Sequence, residues 1–143
     1  MARLIFVYGT LKQGFRNFHI NRGRRVDGDF VTDDAYPLYL VGEFGLPWLL
    51  RKPGEGLPVE GQMFEVDDDV LRDMDALERI DQAGYYQRLP LRVRRIDGDA
   101  AIDVECYFGS ESTFARGPVI AGPLARYELS HQAVYRYSGA SNQ

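Results

Sequence analysis

Cysteine and histidine are scarce in this chain, which has one cysteine and two histidines among 143 residues. A single cysteine, Cys106, cannot form an intramolecular disulfide, so a reducing compartment is favoured and we expect the cytoplasm. Cys106 lies on the apolar face of a predicted strand and has no histidine close by in sequence, which indicates a core residue rather than a nucleophile. His19 and His131 lack the spacing of metal ligands, so no zinc site is expected.

Long apolar runs and an excess of positive charge are also absent. The apolar run near the N-terminus, Leu4–Tyr8, is too short for the hydrophobic region of a signal peptide or for a membrane span. The formal net charge is -4, which gives no electrostatic reason to bind nucleic acid or an anionic membrane. We therefore expect neither a nucleic-acid nor a membrane partner, and a monomer is the default expectation.

The length suits one domain with a buried core. The chain has no internal repeat, low-complexity stretch or linker that would divide it. We therefore predict a single domain over residues 1–137. The polar end, residues 138–143, is typical of a short tail.

Seven segments have the pattern of β-strands. The first, Leu4–Tyr8, is apolar on both faces, which is typical of a central strand. Leu89–Arg94 and Ile102–Phe108 alternate apolar and polar side chains around a turn signal at Asp97–Asp99, so they predict an antiparallel hairpin. The remaining four are Asp29–Thr32, Ala35–Val41, Trp48–Arg51 and Pro58–Val66.

A helix is predicted after Asp67, a favourable N-cap residue. Its apolar residues recur at helical spacing between Val70 and Leu77, and Gly84 marks the end of the region. The segment Leu124–Val134 is a second helical candidate, within a C-terminal region that is otherwise ambiguous. Six or seven strands with one or two helices predict an α+β fold, a small mixed β-barrel.

Glu78 lies on the apolar side of the first predicted helix. At about 100° per residue, it falls inside the stripe formed by Val70, Leu71, Met74 and Leu77. A carboxylate that faces a core is costly unless compensated, and burial raises its pKa. Glu78 is therefore a functional candidate. The alternative is that its side chain, in the last turn, reaches water or pairs with an arginine.

A glycine-containing turn, Tyr8–Gly14, follows the first strand. Gly9 allows close approach of the backbone to a ligand, and successive N–H groups in such a turn can bind an anion. The glycine spacing matches a P-loop, but Phe15 and Arg16 replace the required Lys and Ser/Thr, which argues against nucleotide binding. The alternative is that Gly9 only ends the strand.

Together these segments resemble the γ-glutamyl cyclotransferase-like family and, within it, the γ-glutamylamine cyclotransferase branch. The resemblance covers about residues 4–108. Each motif alone is a weak indication of the family, whereas their order and spacing together are fairly specific to it. The motifs are Phe6–Gly14, Tyr36–Leu38, Gly42–Glu43, Leu46–Leu50, Val59–Gly61, Asp75–Glu78 and Tyr86–Arg88.

The resemblance implies a compact mixed α/β barrel that uses no metal or organic cofactor. It implies that Glu78 is the catalytic residue and that Tyr8, Gly9, Thr10 and Leu11 bind the substrate. The partner implied is a small-molecule γ-glutamyl amide, whose own α-amine attacks the γ-carbonyl to give 5-oxoproline and a free amine. The alternative function is a non-catalytic module that binds small anions on the same fold.

The sequence leaves several details of such a site open. The amides of Gly9–Leu11 hold either the α-carboxylate or the oxyanion. A hydroxyl group of Tyr8 or Tyr107 is a candidate for orienting the substrate. A pocket wall is expected around Pro47, whose peptide isomer is undetermined, and Arg88 forms either a surface ion pair or a substrate contact.

The substrate also stays open. Candidates are γ-glutamyl-lysine from crosslinked protein, γ-glutamyl amino acids and γ-glutamyl-protected metabolites. Glutathione is disfavoured, because the resemblance is to the γ-glutamylamine branch.

Overall fold

The computed structural model describes residues 2–42 and 44–132. A last helical stretch begins at residue 129 and is described as far as residue 132. Val134 and the predicted tail, 138–143, lie outside the described residues. The named elements of the described part are β1 (Arg3–Val7), β2 (Arg24–Arg25), β3 (Phe30–Thr32), β4 (Leu38–Val41), β5 (Leu46–Leu49), β6 (Glu60–Val66), α1 (Asp68–Glu78), β7 (Tyr86–Arg95), β8 (Ile102–Gly109), α2 (Glu111–Arg116) and β9 (Val119–Ala121).

Five strands close into a barrel. Neighbouring strands follow the order β1-β8-β7-β3-β6, and β6 also pairs with β1, which completes the ring. β1 runs parallel to β8 and antiparallel to β6, so the prediction of a central first strand is confirmed. β2 adds a short pairing to β6. The predicted α+β mixed barrel is therefore confirmed.

A second, three-stranded sheet has the order β5-β4-β9. Buried side chains of this sheet pack against the barrel, among them Leu38, Leu49 and Trp48. The indole Nε1 of Trp48 donates to the carbonyl oxygen of Ser110 at 2.9 Å, and its ring packs on Tyr86 with centroids 4.5 Å apart. The second sheet is therefore fixed beside the ends of β7 and β8.

The alternating side chains of β1 belong to two apolar clusters. Phe6 and Tyr8 point into the barrel interior. Ile5 and Val7 pack on the outside of the barrel, in the cluster that includes Met74 of α1. Full burial of such a side chain stabilises a fold by about 1.5–3 kcal/mol. The burial of both faces explains why this strand has no polar alternation.

The predicted start of α1 is confirmed, whereas its end differs. The side chain of Asp67 accepts a hydrogen bond from the Val70 amide, as an N-cap does. The helix ends at Glu78, and Arg79 adopts the left-handed conformation with φ 55. It therefore stops before Gly84, which lies in the following loop.

The prediction of a helix from Leu124 is wrong for residues 124–128. There the backbone bonds to neighbouring strands instead of to itself. The Leu124 amide donates to the Leu38 carbonyl at 2.8 Å, and the Glu60 amide donates to the Ala125 carbonyl at 2.8 Å. The seven predicted strands are present, but the predicted number omitted the short strands β2 and β9.

Candidate active site

A cavity of about 760 Å³ lies between the barrel and the second sheet. This volume is typical of a small-molecule site. Strands β1, β4, β5, β7 and β8 contribute side chains to the wall, and both helices border it. The wall brings together the five residues that the sequence assigned to catalysis and substrate binding, which are Tyr8, Gly9, Thr10, Leu11 and Glu78.

Glu78 is the last residue of α1, and its side chain is partly buried. The wall of the cavity includes Glu78 and the preceding Leu77. Within residues 2–42 and 44–132, no side chain or backbone group forms a hydrogen bond or ion pair with it. The alternative of an arginine partner for Glu78 is therefore wrong for the described part of the chain.

The surroundings of Glu78 favour its protonated form. Burial, and then the negative charge of Asp75, raise the pKa of Glu78 from 4.5 to about 8. Near neutral pH such a carboxyl group can either accept or give up a proton at small cost. This is the property expected of a general acid or base.

Asp75 precedes Glu78 by one helical turn and is held by two side chains. Arg88 donates two hydrogen bonds to its carboxylate at 3.0 and 3.1 Å, and the Tyr107 hydroxyl donates a third at 2.5 Å. Arg88 also pairs with Glu105 at 2.8 Å and is absent from the cavity wall. Of the two alternatives for Arg88, the structure therefore supports the ion pair.

In the turn Gly9–Leu11 the carbonyl groups have hydrogen-bond partners among the described residues, whereas the amide N–H groups do not. In chain order, its three carbonyl oxygens accept from the Lys12 amide at 3.2 Å, the Asn17 amide at 2.9 Å and the Asn21 side-chain amide at 3.1 Å. The three N–H groups of the turn have no acceptor among the described residues. Since the turn borders the cavity, its three N–H groups are candidate donors for an anion bound there.

Gly9 is required by its closeness to Pro47. A Cβ atom at Gly9 would lie 2.9 Å from the Cγ atom of Pro47, which is shorter than ordinary carbon contacts. The carbonyl oxygen of Pro47 accepts a hydrogen bond from the Tyr86 hydroxyl at 2.6 Å. The bond before Pro47 is trans, the cis peptide bond of the described chain being Gly122–Pro123. Pro47 therefore forms a fixed wall of the cavity, as expected from the sequence.

The hydroxyl protons of the two candidate tyrosines are used within the protein. Tyr8 donates to the carbonyl oxygen of Tyr107 at 2.6 Å, and Tyr107 donates to Asp75. Burial raises the pKa of both phenols well above the ordinary value, so both are neutral. The two rings shape the cavity wall, and their oxygen atoms remain available as acceptors.

Sequence reasoning missed part of the wall, notably Arg79, Tyr85, Thr113 and Arg116. The first two follow α1, and the others belong to α2, which was not predicted. The signal for α2 was a serine followed by an acidic residue: the Ser110 side chain caps the helix by accepting from the Thr113 amide at 3.2 Å.

We also searched residues 2–42 and 44–132 for a metal site, a reactive cysteine and a membrane-spanning helix. No group of three or more metal-binding side chains is present there. Cys106 lies in the core, where burial raises the pKa of its thiol well above the usual value, so it is not a nucleophile at neutral pH. None of the described helices has the length and apolarity needed to cross a membrane.

Comparison with known proteins gives a consistent set of relatives. The family described as Gamma-glutamyl cyclotransferase, AIG2-like, matches residues 5–132. Gamma-glutamylaminecyclotransferase from Mus musculus is 38% identical over 120 residues, which cover 78% of this chain and 79% of that protein. The protein of the same name from Homo sapiens is 38% identical over 124 residues, with coverage of 78% and 80%.

Among solved structures, the crystal structure of an AIG2-like protein from Mus musculus is similar to this fold. Its TM-score is 0.71 at 32% sequence identity, over 89% of this chain and 88% of that chain. The family match over residues 5–132 includes all the described residues that line the cavity.

Proposed function

Because the chain belongs to the γ-glutamyl cyclotransferase, AIG2-like family, we propose that it converts γ-glutamyl amides into 5-oxoproline and a free amine with Glu78 as general acid and base. Membership makes the protein a γ-glutamyl cyclotransferase and argues against the non-catalytic alternative. The names of the relatives support γ-glutamylamines as the substrate class. The mechanism is supported by one observation above all, an unpaired carboxyl group that shares a cavity with three free amides.

The substrate carries its own nucleophile. Its α-amine attacks the γ-carbonyl carbon, a new carbon–nitrogen bond closes the five-membered lactam, and the original amide bond breaks. The enzyme must hold the glutamyl chain folded back on itself. Positioning of this kind can contribute several kcal/mol towards the barrier, and the walls around Tyr8 and Pro47 are fixed by hydrogen bonds that suit this task.

Glu78 handles both protons of the reaction. The α-amine enters as an ammonium group and must lose a proton before it can attack, whereas the departing nitrogen must gain one. The raised pKa of Glu78, about 8, makes its ionised form closer in basicity to an amine than an ordinary carboxylate is. Proton transfer in either direction is therefore cheap, and general acid–base catalysis typically contributes about 10²–10⁴-fold.

The turn Gly9–Leu11 supplies donors for negative charge. Its free N–H groups can hold the α-carboxylate of the substrate or the oxyanion that develops on the γ-carbonyl. Either role uses donors that are fixed before the substrate binds, because hydrogen bonds from Lys12, Asn17 and Asn21 already hold the turn.

Replacement of Glu78 by Gln tests the mechanism. Glu78→Gln keeps the shape of the side chain but removes the titrating group, so we expect 5-oxoproline formation to fall by at least about 10²-fold. A panel of γ-glutamyl amides, with 5-oxoproline measured by mass spectrometry, also identifies the accepted substrates. Binding to the variant, measured by calorimetry, should persist.

Glu65→Gln is the matched control. Glu65 lies on β6, outside the cavity wall, and pairs with Arg24 at 2.8 Å on the surface. This variant should turn over the same amides at the wild-type rate. An undiminished rate in Glu78→Gln would remove the proposed base, and no 5-oxoproline from any amide with the wild-type protein would overturn the proposed reaction.

A further inference from the structure

The cavity has an unassigned pair of cations in its wall, Arg79 and Arg116. Arg79 directly follows the proposed general base, and its guanidinium lies 5.1 Å from the ring centroid of Tyr85, which is also in the wall. Arg116 is in the last turn of α2, and this helix packs on the second sheet through Phe114 and Tyr39, whose ring centroids are 4.9 Å apart. Both side chains are exposed.

These arginines differ from most others in the described chain by having no acidic partner. Ion pairs with Asp or Glu occupy Arg3, Arg22, Arg24, Arg25, Arg72, Arg88, Arg92, Arg94, Arg95 and Arg126. Neither Arg79 nor Arg116 has such a pair among the described residues. The acidic residue in the described wall is Glu78, which is mostly neutral near pH 7 because of its raised pKa. The cavity wall therefore has a positive charge that the described chain leaves uncompensated.

The cavity also has room for more than a glutamyl group. Its volume of about 760 Å³ is in the upper part of the usual range for small-molecule sites. The free amides of Gly9–Leu11 can serve the glutamyl end, where the α-carboxylate and the reacting carbonyl lie. The two arginines are then left for the other end of the substrate, the amine that departs.

We propose that Arg79 and Arg116 form a subsite for an anionic group, and that the preferred substrates are γ-glutamyl amides whose departing amine carries a carboxylate. This inference rests on the proposed function. Guanidinium groups bind carboxylates through charge-assisted hydrogen bonds. γ-Glutamyl amino acids and γ-glutamyl-lysine have such a group, whereas amides of simple alkylamines and diamines do not.

Two amides of equal length test the subsite. γ-Glutamyl-ε-aminocaproate has a terminal carboxylate, and γ-glutamyl-hexylamide ends in a methyl group. For the wild-type protein we expect a kcat/KM at least about tenfold higher for the carboxylate, since a hydrogen bond to a charged group contributes this much or more. The preference should shrink as salt is added, because exposed charges are screened.

The double variant Arg79→Gln with Arg116→Gln should lose this preference. We expect kcat/KM for the carboxylate amide to fall about tenfold or more, mainly through KM, and that for hexylamide to stay within twofold. Each arginine lies at the C-terminal end of a helix, where a positive charge stabilises the helix. Melting temperatures of the variants therefore have to be measured alongside the kinetics, to separate a loss of stability from a loss of substrate binding. Arg116→Glu is the second variant, and it should favour a γ-glutamyl diamine over the carboxylate amide.

Arg51→Gln is the matched control. Arg51 also lacks an acidic partner among the described residues, but it lies over Phe108, outside this cavity. Its kinetics should equal those of the wild type with both amides. Equal losses for both amides in the double variant, or turnover of both by the wild type without preference, would overturn the subsite and leave the proposed reaction standing. Absence of 5-oxoproline from both of these amides and from every other amide of the panel, with the wild type, would overturn the proposed function itself.

Discussion

The carboxyl group of Glu78 makes the stability of the fold depend on pH. Its pKa is about 8 in the folded protein, raised from 4.5 by burial and by Asp75. Between these values the folded state binds a proton that the unfolded state releases. Stability therefore falls as the pH rises from 4.5 to 8, and the penalty is complete above about 8. A protein without this carboxyl group should escape the penalty.

Glu78→Gln should accordingly stabilise the protein at high pH. At about pH 9 we expect a free energy of unfolding roughly 2 kcal/mol above that of the wild type, from 1.36 kcal/mol per pKa unit reduced for solvent in the cavity. At about pH 5 the two proteins should be nearly equal. Urea unfolding across this range provides the measurement. A difference in unfolding free energy between Glu78→Gln and the wild type that stays constant with pH would contradict the raised pKa of Glu78.

Single residues of the site were predictable where periodicity or a motif marked them. The angular position of Glu78 on a helix and the glycine after β1 marked the acid and the turn. The reason why Gly9 must be a glycine was not predictable. Pro47, which leaves no room for a Cβ atom there, is distant in sequence and near only in the fold. The same applies to Arg79 and Arg116, because their lack of acidic partners among the described residues depends on which side chains the fold brings together.

Helix α1 places two carboxyl groups on one face, one turn apart. Asp75 is held by Arg88 and Tyr107, and its negative charge contributes to the raised pKa of Glu78. The position of Asp75 therefore tunes the proposed base from a distance, without contact with the substrate. We infer that α1 both positions Glu78 and, through the negative charge of Asp75, helps to raise its pKa.

Asp75→Asn should lower the pKa of Glu78. The substitution removes a negative charge and leaves the positive charge of Arg88 nearby, and both changes favour the ionised carboxylate. The limb of the pH profile of kcat/KM that reports Glu78 should therefore move to lower pH by roughly half to one unit. Steady-state rates of 5-oxoproline release across pH provide the measurement, at temperatures where circular dichroism shows the variant folded.

Asp73→Asn is the control on the same helix. Asp73 is on the exposed side and pairs with Arg22 at 2.6 Å. Its pH profile should match that of the wild type. An equal displacement in both variants would indicate a general charge effect, and no displacement in Asp75→Asn would exclude Asp75 as the cause.

The elements themselves were predictable where the pattern was long. Strands with several alternating or apolar residues and the helix capped by Asp67 were identified from the sequence. β2 and β9 have two and three residues, too few for a period to appear. Residues 124–128 include several good helix formers but bond to β4 and to Glu60, so tertiary contacts override local preference there.

The cavity lies between a closed barrel and an open three-stranded sheet. The barrel is closed and holds the larger apolar core, whereas the second sheet has an edge strand, β9, with exposed Val119 and Ile120. The sequence predicted the barrel from its strand pattern. It did not predict the division into two sheets, because pairing between distant strands is not encoded in local periodicity. A ligand that fills this cavity would contact both sides of it, so its binding should slow local opening of the second sheet as well as of the turn after β1.

Hydrogen exchange of Glu78→Gln with a bound γ-glutamyl amide should show this effect. We expect slower exchange in peptides that cover residues 8–11, where the free amides gain an acceptor, and in residues 44–48 and 113–117 on the second side of the cavity. Peptides over residues 24–32, which lie outside the wall, provide the internal control and should be unchanged. Slower exchange at 44–48 and 113–117 without slower exchange at 8–11 would mean that the ligand binds in the cavity without using the amides of the turn. Equal slowing in all peptides, including 24–32, would mean that the ligand only stabilises the fold as a whole.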